Sequence, residues 1–124
     1  MGPYFNYRGD IIMDFEDYKV QAMATNFSNE LPNDCNPLLY YSLKLCGESG
    51  EIAEKVGKLF RDRGGLADEA FVDDIELELG DCFWYLSAIA NHFGMSLNDV
   101  ARANLSKLAD KRKRGVLEGS GDHR

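Results

Sequence analysis

The feature that most restricts the fold of this chain is a long apolar repeat between residues 68 and 93. Its members follow one another at alternating spacings of four and three residues: Ile75, Leu79, Cys82, Leu86, Ile89 and Phe93. This spacing places them on one stripe of an α-helix, and it is typical of the seam along which bundled helices pack. Gly94 follows directly and is a common helix end. The repeat predicts a helix over about 68–93 with one buried side.

Local signals predict two more helices before this one. Apolar side chains recur at helical spacing from Asp14 to about Phe27. Asn36-Pro37 then reads as an N-cap followed by proline at the first helical position, and Gly64 marks an end after about residue 63. The first two helices are therefore expected over about 14–27 and 37–63.

A fourth helix is predicted from Ser96 to about Arg114. Ser96 with Asp99 three residues later resembles a capping box. No strand pattern is present, so the sequence predicts an all-α, four-helix bundle over residues 14–114. Residues 1–13 read as an irregular N-terminal arm and 115–124 as a Gly-rich C-terminal tail. Because one copy makes a thin bundle, we expect dimerisation to complete it.

Composition excludes several classes of function. The net charge of −7 argues against binding of a nucleic acid polymer, which usually requires a basic surface. No apolar run approaches the length of a membrane helix, and no signal peptide is apparent. The three cysteines contain no CxxC pair and are expected to be reduced thiols. A cytoplasmic protein with no membrane partner is expected.

Two carboxylate pairs with the same spacing are the strongest candidates for a functional site. Glu48 and Glu51 lie on the second predicted helix, and Glu78 and Asp81 lie on the third. Residues three apart share a helix face, so two neighbouring helices would bring four carboxylates together. Such a group needs a cation, and oxygen ligands favour Mg²⁺, with Mn²⁺ as a substitute. The pattern predicts a metal site.

The two alternatives to a magnesium site are a solvated helix face and an iron site. Charged residues on helices are often only a solvated face, but Gly47 and Gly50 weaken the helix beside the first pair. That cost favours a close approach there by another helix or a ligand. Helical di-iron proteins use Glu-x-x-His pairs, and neither motif helix has a histidine three residues after a carboxylate. This absence favours Mg²⁺ over iron.

The fourth helix offers a complement to the metal site. Asn104, Lys107 and Lys111 share one helix face, and lysine is a point charge suited to phosphate. A metal site with such a face is suited to a nucleoside triphosphate. Trp84, one turn beyond Asp81, is the best candidate for stacking on the base, although aromatic residues at this spacing are more often core.

Three segments in this order resemble the motifs of the MazG-like, all-α nucleotide pyrophosphohydrolase family. They are residues 45–54 (LCGESGEIAE), 76–86 (ELELGDCFWYL) and 104–108 (NLSKL), and the tail at 119–122 (GSGD) is also similar. The resemblance covers nearly everything from Asp14 onward. It implies hydrolysis of a nucleoside triphosphate between the α and β phosphates, which gives a monophosphate and pyrophosphate.

The resemblance also implies roles for individual residues. Glu48, Glu51, Glu78 and Asp81 would hold Mg²⁺, with Glu48 and Glu51 as the catalytic residues and a water held at this site as the nucleophile. A homodimer or homotetramer with its pocket near the subunit interface is implied as well.

The third motif departs from the family in one respect. Asn104 and Lys107 would contact the phosphates, but Lys111 stands where the family often has arginine, and Arg112 follows it. The second basic phosphate contact is therefore open between these two residues.

The expected function is a Mg²⁺-dependent nucleotide pyrophosphohydrolase that clears non-standard nucleotides. One alternative is an enzyme like phosphoribosyl-ATP pyrophosphatase. Another is a catalytically silent helical module that binds nucleotides or a protein. The base and the sugar stay open.

Overall fold

The chain forms four α-helices in the computed structural model, which describes residues 13–115. They are Phe15–Met23 (α1), Pro37–Arg63 (α2), Glu69–His92 (α3) and Leu97–Lys113 (α4). A short 3-10 turn at Ser28–Glu30 joins α1 to α2, and residues 13–115 contain no strand. The predicted all-α, four-helix fold is confirmed. Apart from Met13 and Gly115, the predicted arm and tail lie outside the described residues.

Helix α2 begins and ends where its local signals predict. The Asn36 side chain accepts a hydrogen bond from the backbone N–H of Leu39 at 3.2 Å, and Pro37 occupies the first turn. Gly64 ends the helix in the left-handed region, at φ 60°, which glycine adopts without steric cost. These caps act within one turn of the chain, so sequence alone was sufficient to place them.

Helix α1 ends at Met23, four residues before its predicted end. The Thr25 hydroxyl donates to the carbonyl of Ala22 at 2.6 Å, and the Asn26 side chain accepts from the N–H of Ser28 at 2.9 Å. Short polar side chains that bond to nearby backbone in this way compete with helix formation. The apolar spacing therefore continued past the point where the helix stops.

The predicted capping box at the start of α4 is only half formed. The Ser96 hydroxyl accepts from the N–H of Asp99 at 3.4 Å, whereas the Asp99 carboxylate pairs with Arg102 at 2.9 Å. A complete capping box occurs at α1 instead, between Asp14 and Asp17. The helix start was predicted correctly, but the reciprocal bond was not.

Helices α2 and α3 pack as an antiparallel hairpin. Tyr41 near the start of α2 shares the buried core with Tyr85 near the end of α3, while Lys55 further along α2 reaches Asp74. The buried cluster at this end of the hairpin consists of Tyr41, Tyr85 and Ala88, with half-buried apolar side chains around it. Helix α1 packs on α3, and α4 packs on α1.

Hydrogen bonds fasten α1 to the start of α4. The Lys19 ammonium is buried, donates to the carbonyl of Met95 at 2.7 Å and pairs with Glu16 at 2.8 Å. The Glu16 carboxylate in turn accepts from the N–H of Leu97 at 2.9 Å. This charged link fixes α4 beside α1.

The apolar seam of α3 divides into a covered and an uncovered half. Ile75, Cys82 and Ile89 are half-buried. The alternate members are exposed, with Leu79 at 49%, Leu86 at 46% and Phe93 at 56%. The described helices therefore bury one side of the seam and leave the other open to solvent.

The close approach expected at the internal glycines of α2 does not occur among the described residues. A Cβ atom built on Gly47 or Gly50 would meet nothing within 4 Å. None of the helices in residues 13–115 is long and apolar enough to cross a membrane.

Candidate metal centre

Carboxylates from α2 and α3 meet between the two helices of the hairpin. Glu48, Glu78 and Asp81 each offer one oxygen, and these three oxygens lie within 4.8 Å of one another. Glu48 and Glu78 are half-buried, whereas Asp81 is exposed. The donors are all carboxylate oxygens, which Mg²⁺ and other hard divalent cations prefer. The donor set therefore fits the predicted kind of metal, and we call these three residues the acidic group.

Glu51 lies beside the acidic group on the solvent side. The negative charge of Glu48, followed by that of Glu78, raises the pKa of the Glu51 carboxyl above its ordinary value. The Glu51 residue is exposed. Glu48 and Glu78 thus act on both Glu51 and Asp81, and Glu51 lies at the edge of the acidic group.

Asp81 experiences the same repulsion. Its pKa is raised first by partial burial and then by the charges of Glu48 and Glu78, while Lys44 lowers it. Raised pKa values in two of four neighbouring carboxylates indicate excess negative charge. A bound divalent cation would offset the repulsion that raises the pKa values of Glu51 and Asp81.

Two lysines of α2 partly balance this charge, and sequence reasoning did not identify either. Lys55 contacts Glu78 at 2.7 Å and also Asp74 at 2.6 Å. Lys44 lies 3.5 Å from Glu48. Their positions, four residues before Glu48 and four after Glu51, were the available signal, since such residues share a helix face.

Trp84 lies in an aromatic cluster next to the acidic group. Its ring stacks on Phe27 with 5.4 Å between centroids, and its N–H donates to the Thr25 hydroxyl at 2.8 Å. Tyr85 packs edge-on against Trp84, and burial, with a smaller effect of Tyr40, raises the pKa of Tyr85 to about 12. One face and the polar edge of Trp84 thus have protein partners, and its role at a base stays a prediction.

A second aromatic group lies on the other side of α3. Phe83 contacts Phe15 and Tyr18, with ring centroids 6.1 and 5.7 Å away, and these residues line an apolar groove of about 400 Å³. Burial and then the charge of Asp81 raise the pKa of Tyr18, so this groove adjoins the acidic group. The sequence did not indicate this groove, because the groove depends on how α1 packs on α3.

The predicted phosphate contacts lie on α4. Asn104 and Lys107 line one groove with Val100 and Ala103, whereas Lys111 is buried. The charged residues that shift the pKa of Asp81 belong to α2 and α3. The role of the three α4 side chains at phosphate therefore stays a prediction.

The helices of residues 13–115, with their facing carboxylate pairs, place the protein in the class of helical proteins suited to bind a divalent cation. The chain belongs to the MazG nucleotide pyrophosphohydrolase domain family, whose model matches residues 38–116. The match includes the acidic group and all three motif segments, so the resemblance found in the sequence is confirmed.

A second comparison gives a relative from a virus of bacteria. The chain is 44% identical over 94 residues to the Gene 37 protein of Mycobacterium phage L5. This alignment covers 73% of the present chain and 82% of the phage protein. No solved structure matches the chain.

Proposed function

We propose that this protein is a Mg²⁺-dependent pyrophosphohydrolase that cleaves a nucleoside or deoxynucleoside triphosphate to the monophosphate and pyrophosphate. The observation that carries the proposal is the acidic group, which lies inside the stretch matched by the family model. Clearing of non-standard nucleotides is the proposed role. Mn²⁺ is expected to substitute for Mg²⁺, because both accept oxygen ligands.

The carboxylates at this site are proposed to have two roles, binding of the cation and activation of water. Glu48, Glu78 and Asp81, with Glu51 at their edge, would hold the cation. When bound, it would neutralise phosphate charge and polarise the attacked bond. Glu51 is exposed and adjoins the group, so it is placed to orient the attacking water and accept its proton. Glu48, which would hold the cation beside this water, and Glu51 are the proposed catalytic residues.

The remaining assignments concern the substrate. Asn104 and Lys107 are proposed to bind the phosphates, together with Lys111 or its neighbour Arg112. Lysine binds phosphate as a point charge, whereas asparagine can bridge the phosphate and ordered water. Trp84 is proposed as the contact for the base.

We also propose that the protein acts as a homodimer or a homotetramer in the cytoplasm. Apolar side chains of α3 such as Leu79, Leu86 and Phe93 are exposed in one copy, and large exposed apolar patches mark association surfaces. The three cysteines are free, as expected in a reducing compartment.

Pyrophosphate release from a panel of ribo- and deoxynucleoside triphosphates tests the function directly. Release is expected with Mg²⁺ and not with a chelator. Phosphoribosyl-ATP belongs in the panel, because preference for it would favour the alternative enzyme. No release from any compound would refute the proposal and favour a silent binding module.

Two variants test the residue assignments. Glu51→Gln keeps the shape but removes the charge, and we expect turnover to fall by at least about 100-fold, as for loss of a general base. Glu76→Gln, on an exposed position of α3 outside the acidic group, is the control. Lys107→Ala should weaken turnover without unfolding the protein. Full activity in Glu51→Gln would contradict the proposed site.

A further inference from the structure

We propose that Lys55 is a positioning residue that holds Glu78 in the orientation required for cation binding. The inference rests on the proposed function and concerns a side chain to which neither the sequence motifs nor the family match gives a role. It starts from a bridging contact between the two helices of the hairpin.

The Lys55 ammonium joins two carboxylates that lie one turn apart on α3. Its nitrogen is 2.6 Å from Asp74 Oδ2 and 2.7 Å from Glu78 Oε1. The Lys55 side chain is 30% exposed and that of Glu78 only 14%. Screening by water is therefore weaker here than at a typical surface ion pair.

A carboxylate has two oxygens, and Lys55 contacts one of those on Glu78. Without that contact, repulsion from Glu48 and Asp81 would favour rotation of Glu78 toward solvent. Asp74 holds the same ammonium at 2.6 Å, so the position of the lysine is itself fixed. Lys55 thus fixes the carboxylate and leaves its second oxygen for a cation, as residues behind metal ligands commonly do.

Lys58 provides a matched comparison on the same helix. It pairs with Glu54 at 2.6 Å, four residues earlier on α2, and both side chains are more than half exposed. Its ion pair is as short as those of Lys55 but joins no two helices and includes no member of the acidic group. Replacing either lysine by an uncharged residue removes one positive charge from α2, but only replacement of Lys55 removes a contact with Glu78.

A positioning role and a simple counter-ion role predict opposite effects of removing Lys55 on the affinity for the cation. If Lys55 only competed with the metal for Glu78, its removal would make the site more negative and would tighten cation binding. If it positions Glu78, its removal weakens binding despite the gain in negative charge. The sign of the change in metal affinity therefore distinguishes the two roles.

Titration of the full chain with Mn²⁺ alone, followed by calorimetry and electron paramagnetic resonance, tests the proposal. Lys55→Met is expected to bind Mn²⁺ roughly 10-fold more weakly, in the range seen when residues behind metal ligands are lost. Lys55→Arg keeps the charge and the hydrogen bonds and should remain within about 3-fold of the unchanged protein. Lys58→Met should bind as the unchanged protein does.

Steady-state turnover gives a second readout. The Mg²⁺ concentration for half-maximal activity should rise in Lys55→Met more than the rate at saturating Mg²⁺ falls. If Lys55→Met does not fold, as judged by circular dichroism, Asp74→Asn replaces it, because it removes the anchor of Lys55. Weaker Mn²⁺ binding is again expected.

Unchanged or tighter Mn²⁺ binding in the folded Lys55 variant, or in Asp74→Asn if that is used, would overturn the role of Lys55 while leaving the proposed function intact. No Mn²⁺ binding by the unchanged protein would contradict the metal centre, and the role of Lys55 with it.

Discussion

Replacement of Asp81 by asparagine is expected to make the metal-free protein more stable while it removes metal-dependent turnover. Asp81 belongs to the acidic group, whose oxygens lie within 4.8 Å of one another. Its charge therefore opposes folding unless a cation is bound. The same charge is proposed to hold that cation, so stability and function respond in opposite directions.

The size of the effect follows from the geometry. Since Asp81 is exposed, the dielectric constant of water applies, and each carboxylate pair at this separation costs ~0.9 kcal/mol. Asparagine relieves two such pairs, those with Glu48 and Glu78, or ~2 kcal/mol. Screening at physiological salt, together with the favourable Lys44 contact that is also lost, leaves about 1 kcal/mol. For a domain of this size, that raises the melting temperature by about 4–8 °C.

The stability gained by Asp81→Asn should depend on pH, being larger at high pH than at low pH. Partial burial and the charges of Glu48 and Glu78 raise the pKa of Asp81, so the unchanged protein is destabilised as the pH rises from the unfolded pKa through the folded one. When the pH falls through the raised pKa, Asp81 takes up a proton and the advantage of asparagine disappears. Thermal unfolding between pH 4 and pH 8, with chelator present, measures this.

Mg²⁺ should reverse the order of stability. A ligand at 100 times its dissociation constant stabilises the folded state by about 2.7 kcal/mol, and Asp81→Asn should lose most of that gain. Asp73→Asn, also on α3 but outside the acidic group, is the control and should show neither effect. Lower stability of metal-free Asp81→Asn than of the unchanged protein at pH 8 would refute the electrostatic reasoning.

The remaining predictions concern the fold. Lys19→Met removes the donor to Met95 and the partner of Glu16, and should cost about 2–3 kcal/mol in chemical denaturation. The Lys19 contact is the main reason that the pKa of Glu16 is lowered. The variant should therefore lose less stability than the unchanged protein as the pH falls below the unfolded pKa of Glu16. An equal loss of stability in acid would contradict this. Gly50→Ala meets nothing within 4 Å and should gain about 1 kcal/mol in the same assay, whereas Gly64→Ala, at φ 60°, should lose about 1 kcal/mol. A loss in Gly50→Ala would instead indicate that a second chain packs against this position.

Helix positions were the most predictable part of the structure. Asn36 and Gly64 bound α2 through contacts within one turn, and Asp68 and Phe93 flank α3 as expected. The predicted end of α1 was wrong because the Thr25 hydroxyl bonds to the backbone of Ala22, and apolar spacing carries no information about such a bond. Local rules thus placed each helix, except where a polar side chain competed with the helix for its own backbone.

The candidate site was predictable only along each helix. A spacing of three residues put Glu48 with Glu51, and Glu78 with Asp81, on common faces before any packing was known. The contact of Glu78 with Lys55 across the hairpin was not predictable, because the two residues lie on different helices and meet only when α2 and α3 pack. The groove between Phe15 and Phe83 was missed for the same reason.

The sequence by itself determined an all-α chain with carboxylate pairs on two helices, because helix periodicity and capping are local properties of the backbone. Only the tertiary structure decided which of those carboxylates meet, which half of the α3 seam is covered, and that Lys55 bridges to Glu78. These outcomes depend on how the helices are rotated and offset against one another. That geometry is set by the packing of the whole hairpin, so no single motif contains it.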